Sequence, residues 1–254
     1  MIELGASAAR AIFGLLVPPR CLACDEALDP ERARRICKTC LESIERLCFE
    51  GIPCCPHCGI PTGPAWKGGG DTPCGPCTHS PPTFEAARAW GFHEDALREA
   101  VLRLKFSGRS ALAAPLGALI AHAAQALPPA DAVVAVPLHP RRLRERGFNQ
   151  AALLARAAAA DLDLPMLSGA LERVRETGAQ TELDRALRAA NLRGSMRAER
   201  RLVDGRAILL VDDVLTTGAT ASACAAALLA AGAASVFVAT VARAARREAA
   251  SATM

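Results

Sequence analysis

Residues 208–220 read ILLVDDVLTTGAT. The stretch completes a short apolar run, Ala207–Val211, then meets two adjacent carboxylates, Asp212 and Asp213. It ends in Thr216, Thr217, Gly218, Ala219 and Thr220, at the start of a helical stretch, Ala219–Ala231. A short apolar run closed by turn residues and followed by a helix reads as a buried strand and one half of a βαβ unit. Backbone N–H groups at a helix start hold an anion, helped by the helix dipole, and Gly218 lets the chain approach it closely. Two carboxylates at a strand end are acceptors that suit vicinal sugar hydroxyls or the waters of a metal ion. A cradle and acceptors together point to a phosphorylated polyol. The stretch contains no Gly-Lys-Ser/Thr loop and no GxGxxG fingerprint.

The same alternation runs outward from this stretch. Strand-like segments are Phe84–Phe92, Asp131–Val136, Met166–Leu171, Ala207–Val211 and Ser235–Val241. Helical segments are Glu94–Phe106, Ser110–Ala126, Asn149–Leu162, Glu182–Asn191 and Ala219–Ala231. Between them lie an arginine-rich loop, His139–Gly147, and a polar stretch, Glu172–Thr181. Apolar strands alternating with helices predict an α/β domain, a parallel sheet flanked by helices. The tail Arg243–Met254 is expected to be loosely ordered.

The composition changes near residue 82, predicting a small module over 1–82 and the α/β domain over 83–254. Ten of the eleven cysteines lie between Cys21 and Cys77. Cys21 and Cys24 form one Cys-x2-Cys turn, and Cys37 and Cys40 another; Cys55 and Cys58 with Cys74 and Cys77 repeat the arrangement. Two such turns close a tetrahedron of thiolates, so the spacing predicts two structural zinc sites with no open position. Four-Cys sites also hold iron, and Cys54, His57 and His79 stand beside the second set as alternative ligands. Cys48, Cys54 and Cys224 are left as inert thiols.

The 254 residues are 51% hydrophobic and 22% charged, which fits a globular protein, and the formal net charge is +4. Residues 1–82 hold 8 basic and 9 acidic side chains, and residues 83–254 hold 22 and 17. Zinc thiolates make the first part more acidic still, which argues against phosphate-backbone reading by the cysteine module and for protein docking. No run approaches the ~20 apolar residues of a membrane span. The segment Ile2–Leu16 reads as a short amphipathic helix docking on the rest, with a membrane-surface anchor as the alternative. Lacking an export signal, the chain is expected in the cytoplasm, where clustered cysteines favour metal over disulfides.

Ile208–Thr220 resembles the thirteen-residue 5-phosphoribosyl-1-pyrophosphate signature of the type I phosphoribosyltransferases. With the cysteine pairs, the resemblance narrows to the ComF family, which joins an N-terminal double zinc ribbon to such a domain. LKFSGR (Leu104–Arg109), VPLHPRRLRERGFNQ (Val136–Gln150), and Arg175, Thr177, Gln180, Arg188 and Asn191 extend the match along the chain. The resemblance implies that Asp212 and Asp213 bind the ribose hydroxyls and that Thr216, Thr217, Gly218, Ala219 and Thr220 hold the 5-phosphate. It makes His139–Arg144, with His139, Arg141 and Arg144, the pyrophosphate loop, and Arg173–Thr181 a mobile loop carrying Arg175. Lys105 reads equally as a site residue or a surface charge, and the arginines of 141–146 have a solvated-loop reading. The implied chemistry is a Mg²⁺-dependent glycosyl transfer with an unassigned acceptor. The alternatives are a module binding nucleotide or single-stranded DNA for natural transformation, docked on competence or recombination proteins, and a non-catalytic scaffold.

Overall fold

The computed structural model describes residues 19–29, 35–62, 72–174 and 194–244. The expected helices over 2–16 and 182–191 and most of the C-terminal tail lie outside these residues.

The α/β part is built on a four-stranded parallel sheet. Its strands are β1 (Ala86–Phe92), β2 (Ala132–Ala135), β5 (Ala207–Leu215) and β6 (Ser235–Arg243), in the order β1-β6-β5-β2. Helices α3 (Asp95–Phe106), α4 (Ala113–Ala124) and α6 (Gln150–Asp161) cover one face; α8 (Ala219–Ala230) covers the other. Side chains alternate along a strand. Leu209 and Val211 therefore join Leu97, Val101, Leu116 and Leu154 on the α3/α4/α6 face. Ile208 and Leu210 join Cys224, Ala225 and Leu228 on the α8 face. Both faces being apolar, the strands read as continuous hydrophobic runs.

Several elements differ from the sequence reading. β5 does not stop at Val211 but continues through the acidic pair to Leu215, because β6 runs alongside as far as Arg243 and supplies the ladder. The arginine-rich segment is a helix, α5 (Pro140–Arg146). His139 caps it, Pro140 opens it, Arg141 pairs with Glu145 at 3.0 Å, and Gly147 closes it at φ 75°. A small antiparallel pair, β3 (Leu171–Arg173) with β4 (Met196–Ala198), and the turn of helix α7 (Arg200–Val203) carried no periodic signal. Met166 contributes only an isolated bridge to Val133.

The cysteine region docks on the outer edge of β1. Each four-cysteine group pairs a knuckle, Cys21–Cys24 or Cys55–Cys58, with the start of a short helix, α1 (Lys38–Arg46) or α2 (Gly75–His79). Cys21, Cys40 and Ile44 are buried in the same cluster as α3 and α4. Phe49 N–H donates to the Trp90 carbonyl at 2.8 Å and Trp90 Nε1 to the Ile44 carbonyl at 3.1 Å. Gly91 is required at this seam, since a Cβ there would lie 2.2 Å from the Leu47 carbonyl oxygen. An otherwise open strand edge is thereby covered.

Candidate functional site

The carboxyl ends of parallel strands, with the turns that follow, are where α/β sheets bind ligands. Here that end carries Asp212 and Asp213, the turn Thr216–Gly218 and the first residues of α8. Strand alternation sends the two carboxylates to opposite faces. Asp213 goes to the α3 side, 4% exposed, with Oδ1 2.7 Å from Lys105 Nζ. Its Oδ2 is buried and has no hydrogen-bond partner among the described residues. Asp212 lies on the α8 side, and its Oδ1 accepts from the Asp213 N–H at 2.8 Å. Burial first, then the Asp213 charge, push the Asp212 carboxyl up to about 8. Burial and the Asp212 charge also raise the thiol of Cys224.

The following turn has the form expected of an anion cradle. Gly218 caps α8 at φ 81°, a left-handed conformation that side chains disfavour, and Thr216 and Thr217 are exposed. Thr217 Oγ1 accepts from the Ala219 N–H at 3.3 Å. Thr220 lies in the first turn of α8.

Of the other predicted residues, Lys105 joins this site and is no surface charge. His139 serves as the N-cap of α5, its Nδ1 accepting from the Arg141 N–H at 3.2 Å. Arg141 is engaged by Glu145 at the surface, and Arg144 is exposed on the same helix. Arg142 and Arg146 instead line a cleft of about 600 Å³ together with Lys105, Phe106 and Phe148. Arg146 lies over the Phe106 ring at 4.7 Å. Arg175 lies outside the described residues. Neighbouring Arg173 is lowered from the usual arginine range by burial and then by Arg142, so these two cations share one region.

Sequence reasoning missed His93. It follows β1 at the same sheet end, and its Nε2 is buried without a hydrogen-bond partner among the described residues. Burial, then Lys105 and Arg98, lower it, while Asp213 raises it. A lone histidine in a polar turn gave no pattern to find.

The cysteines converge as two groups, Cys21/Cys24/Cys37/Cys40 and Cys55/Cys58/Cys74/Cys77, with sulfurs all within 4.8 Å of one another in each. The Cys24–Cys37 and Cys58–Cys74 sulfurs are 3.7 and 3.6 Å apart. Tetrahedral zinc with bonds of about 2.3 Å requires edges of about 3.8 Å, whereas a disulfide requires about 2.05 Å. Burial raises the Cys21 thiol, but N–H donors of Cys37, Cys24 and Ala23 outweigh it and bring it down to about 7. Cys55 is brought down to about 7 in the same way by Cys58, Cys74 and His57. Both groups could therefore hold zinc. Of the alternative ligands, Cys54 donates to the Ile52 carbonyl and His57 Nδ1 meets the Glu85 carbonyl.

Residues 149–253 match the family described as phosphoribosyl transferase domain. The chain is 35% identical over 193 residues to the DNA utilization protein YhgH of Salmonella typhi, covering 74% of this chain and 81% of that protein. It is 29% identical over 209 residues to competence protein F of Haemophilus influenzae, covering 79% and 86%. A solved glutamine phosphoribosylpyrophosphate amidotransferase from B. subtilis is 26% identical over 50% of this chain and 25% of that one, with a TM-score of 0.35. Among the described residues, no helix is long and apolar enough to cross a membrane.

Asp212 generates a pH dependence. Its proton is held to about pH 8 in the folded chain but leaves near 3.8 when unfolded. Between those values the folded state binds more protons, so this group's contribution to stability falls as pH rises. In Mg²⁺-free buffer, the melting temperature of the wild type should decline relative to Asp212→Asn from about pH 4 to about pH 8. Parallel melting curves for the two proteins across that window would contradict the assignment.

Proposed function

Because this chain belongs to the ComF family, together with the YhgH DNA utilization proteins, we propose that it binds 5-phosphoribosyl-1-pyrophosphate or a related ribose phosphate at the end of β5. The observation that carries the reading is the buried Asp213–Lys105 pair next to the Gly218 turn. Asp212 and Asp213 take the ribose hydroxyls. Thr216, Thr217, Gly218, Ala219 and Thr220 take the 5-phosphate through backbone N–H and hydroxyl donors. His139, Arg141, Arg144 and Arg175 belong to the segments that meet the leaving pyrophosphate, with Lys105 between the two halves.

Mg²⁺ fits this donor set, which consists of hard carboxylate oxygens, one of them the buried Asp213 Oδ2. Once bound, it would neutralise phosphate charge. This chain's part in a transfer is to orient the sugar, place cations on the leaving side and exclude water, since the reaction needs no protein nucleophile. Calorimetry with phosphoribosyl pyrophosphate and Mg²⁺ should give saturable binding, weakened at least about tenfold by Asp213→Asn through loss of a charge-assisted contact. No heat with the wild type would sink the proposal.

Each cysteine group holds one structural zinc ion in this reading. Elemental analysis of the purified chain should find two zinc ions, and chelation should unfold the module while α/β helicity persists. Cys24→Ser should lower the count to one.

A second reading is favoured by one observation. Phe106 is 68% exposed, held under Arg146, in a cleft where Arg142, Arg146 and Lys105 stand against one acidic residue, Glu145. Exposed aromatics framed by arginine stack bases of single strands. On this reading the cleft holds single-stranded DNA and the protein serves the DNA machinery with competence or recombination partners. Retardation of a single-stranded oligonucleotide should be salt-sensitive and weaken about tenfold in Phe106→Ala. Unaltered retardation would remove Phe106 from the account.

A further inference from the structure

Asp25 follows Cys24 at the first knuckle and lies in the left-handed region, φ 68°, with its N–H donating to the Cys21 carbonyl at 3.0 Å. Its side chain reaches out of the knuckle to two arginines of the α/β domain. Oδ2 accepts from Arg103 Nη1 in α3, and Oδ1 accepts from Arg109 Nη2 just beyond that helix. Arg109 Nη1 also donates to the Cys21 and Leu22 carbonyls at 3.1 and 3.4 Å. Arg103 is held from its other side by Glu99 Oε1 at 2.7 Å.

These two arginines bracket the segment that enters the site. Between them lie Leu104, which is buried, Lys105, which meets Asp213, and Phe106 and Gly108, which line the cleft. Lys105 is two residues from Arg103, about 200° around a helix, so α3 presents one cation to the knuckle and the other to β5. A lysine stem is long and flexible, and its reach depends on how the helix beneath it is turned. Tying both ends of 103–109 to one carboxylate fixes that turn.

We propose that Asp25 is a positioning residue for the site: through Arg103 and Arg109 it holds the end of α3 so that Lys105 lies on Asp213. Its functional meaning rests on the ribose-phosphate reading, whereas the placement of Lys105 can be tested without any ligand.

The chain has three lysines, Lys38, Lys67 and Lys105, so acylation by a water-soluble ester followed by peptide mass spectrometry reads each one. In the zinc-loaded full chain, Lys105, 19% exposed, should label slowly and Lys38, 79% exposed, quickly. Asp25→Asn should raise Lys105 labelling severalfold and leave Lys38 unchanged, and Asp25→Glu should restore part of the protection. The pair Arg103→Gln with Arg109→Gln should do what Asp25→Asn does without altering the knuckle. That second variant decides if Asp25→Asn loses metal. In the same variants, affinity for phosphoribosyl pyrophosphate with Mg²⁺ should fall about tenfold, the scale of a misplaced binding group. Wild-type labelling of Lys105 in both folded variants overturns the proposal. Raised labelling with no affinity in the wild type itself keeps the positioning role and removes the ribose-phosphate reading.

Discussion

The parallel ladder between β5 and β6, from Ala207 opposite Ser235 to Leu215 opposite Arg243, is the constraint on which the rest of the site depends. Aspartate is a poor strand residue, and two in succession would ordinarily end the strand. The ladder carries them into the sheet because β6 is unbroken and almost wholly buried along the same length. Once held there, alternation separates them, and each face must compensate its own carboxyl. The α3 face supplies Lys105. The α8 face supplies mainly apolar surroundings, and Asp212 responds by favouring its protonated form. The turn at Gly218 and the start of α8 then follow at a fixed distance from both groups.

A parallel sheet of four strands leaves β1 as an edge, and an open edge invites unwanted pairing. The cysteine module covers it. Its backbone meets Trp90 and Gly91, and its first knuckle locks onto Arg103 and Arg109. Eight thiolates around two divalent ions would make the module strongly acidic. Part of that acidity is answered within the chain: Asp25 by two arginines, and the Cys58 thiol, raised by burial, by the buried Arg243 that draws it back down. The docking partner implied by the module's charge is, at least in part, its own α/β domain.

The central strands were legible because burial on both faces leaves apolar runs of strand length bounded by turn residues, and the helices because longer runs alternate with them. The end of β5 was not, since the signal that extends it is in β6, twenty-eight residues further along the chain, where Arg243 lies opposite Leu215. Helix α5 could have been read locally: Pro140 at its start, Gly147 at its end and Arg141 four residues before Glu145 are ordinary helix signals. Its four arginines are equally the mark of a solvated loop. The cysteine groups were fully legible from spacing. Lys105 was ambiguous because a lysine on an amphipathic helix carries no mark of what it faces. Only the fold brings it to Asp213, and only the fold brings Arg109 to the knuckle. His93 was invisible for the same reason.

The asymmetry of the acidic pair has a chemical consequence on the ribose-phosphate reading. Asp213 is paired with Lys105 Nζ at 2.7 Å; Asp212, its carboxyl pushed up to about 8, keeps a proton to donate near neutrality. A vicinal diol offers two groups that each donate and accept. A neutral acid beside a carboxylate is complementary to such a pair in a way that two carboxylates are not. Two adjacent negative charges would also repel one another in a partly buried site, which is the same cost that raises Asp212 in the first place. A divalent cation held by these carboxylates would shift the balance toward the charged form of Asp212. On that reading the resting pair would suit a sugar, and the cation that accompanies a pyrophosphate would adjust it further.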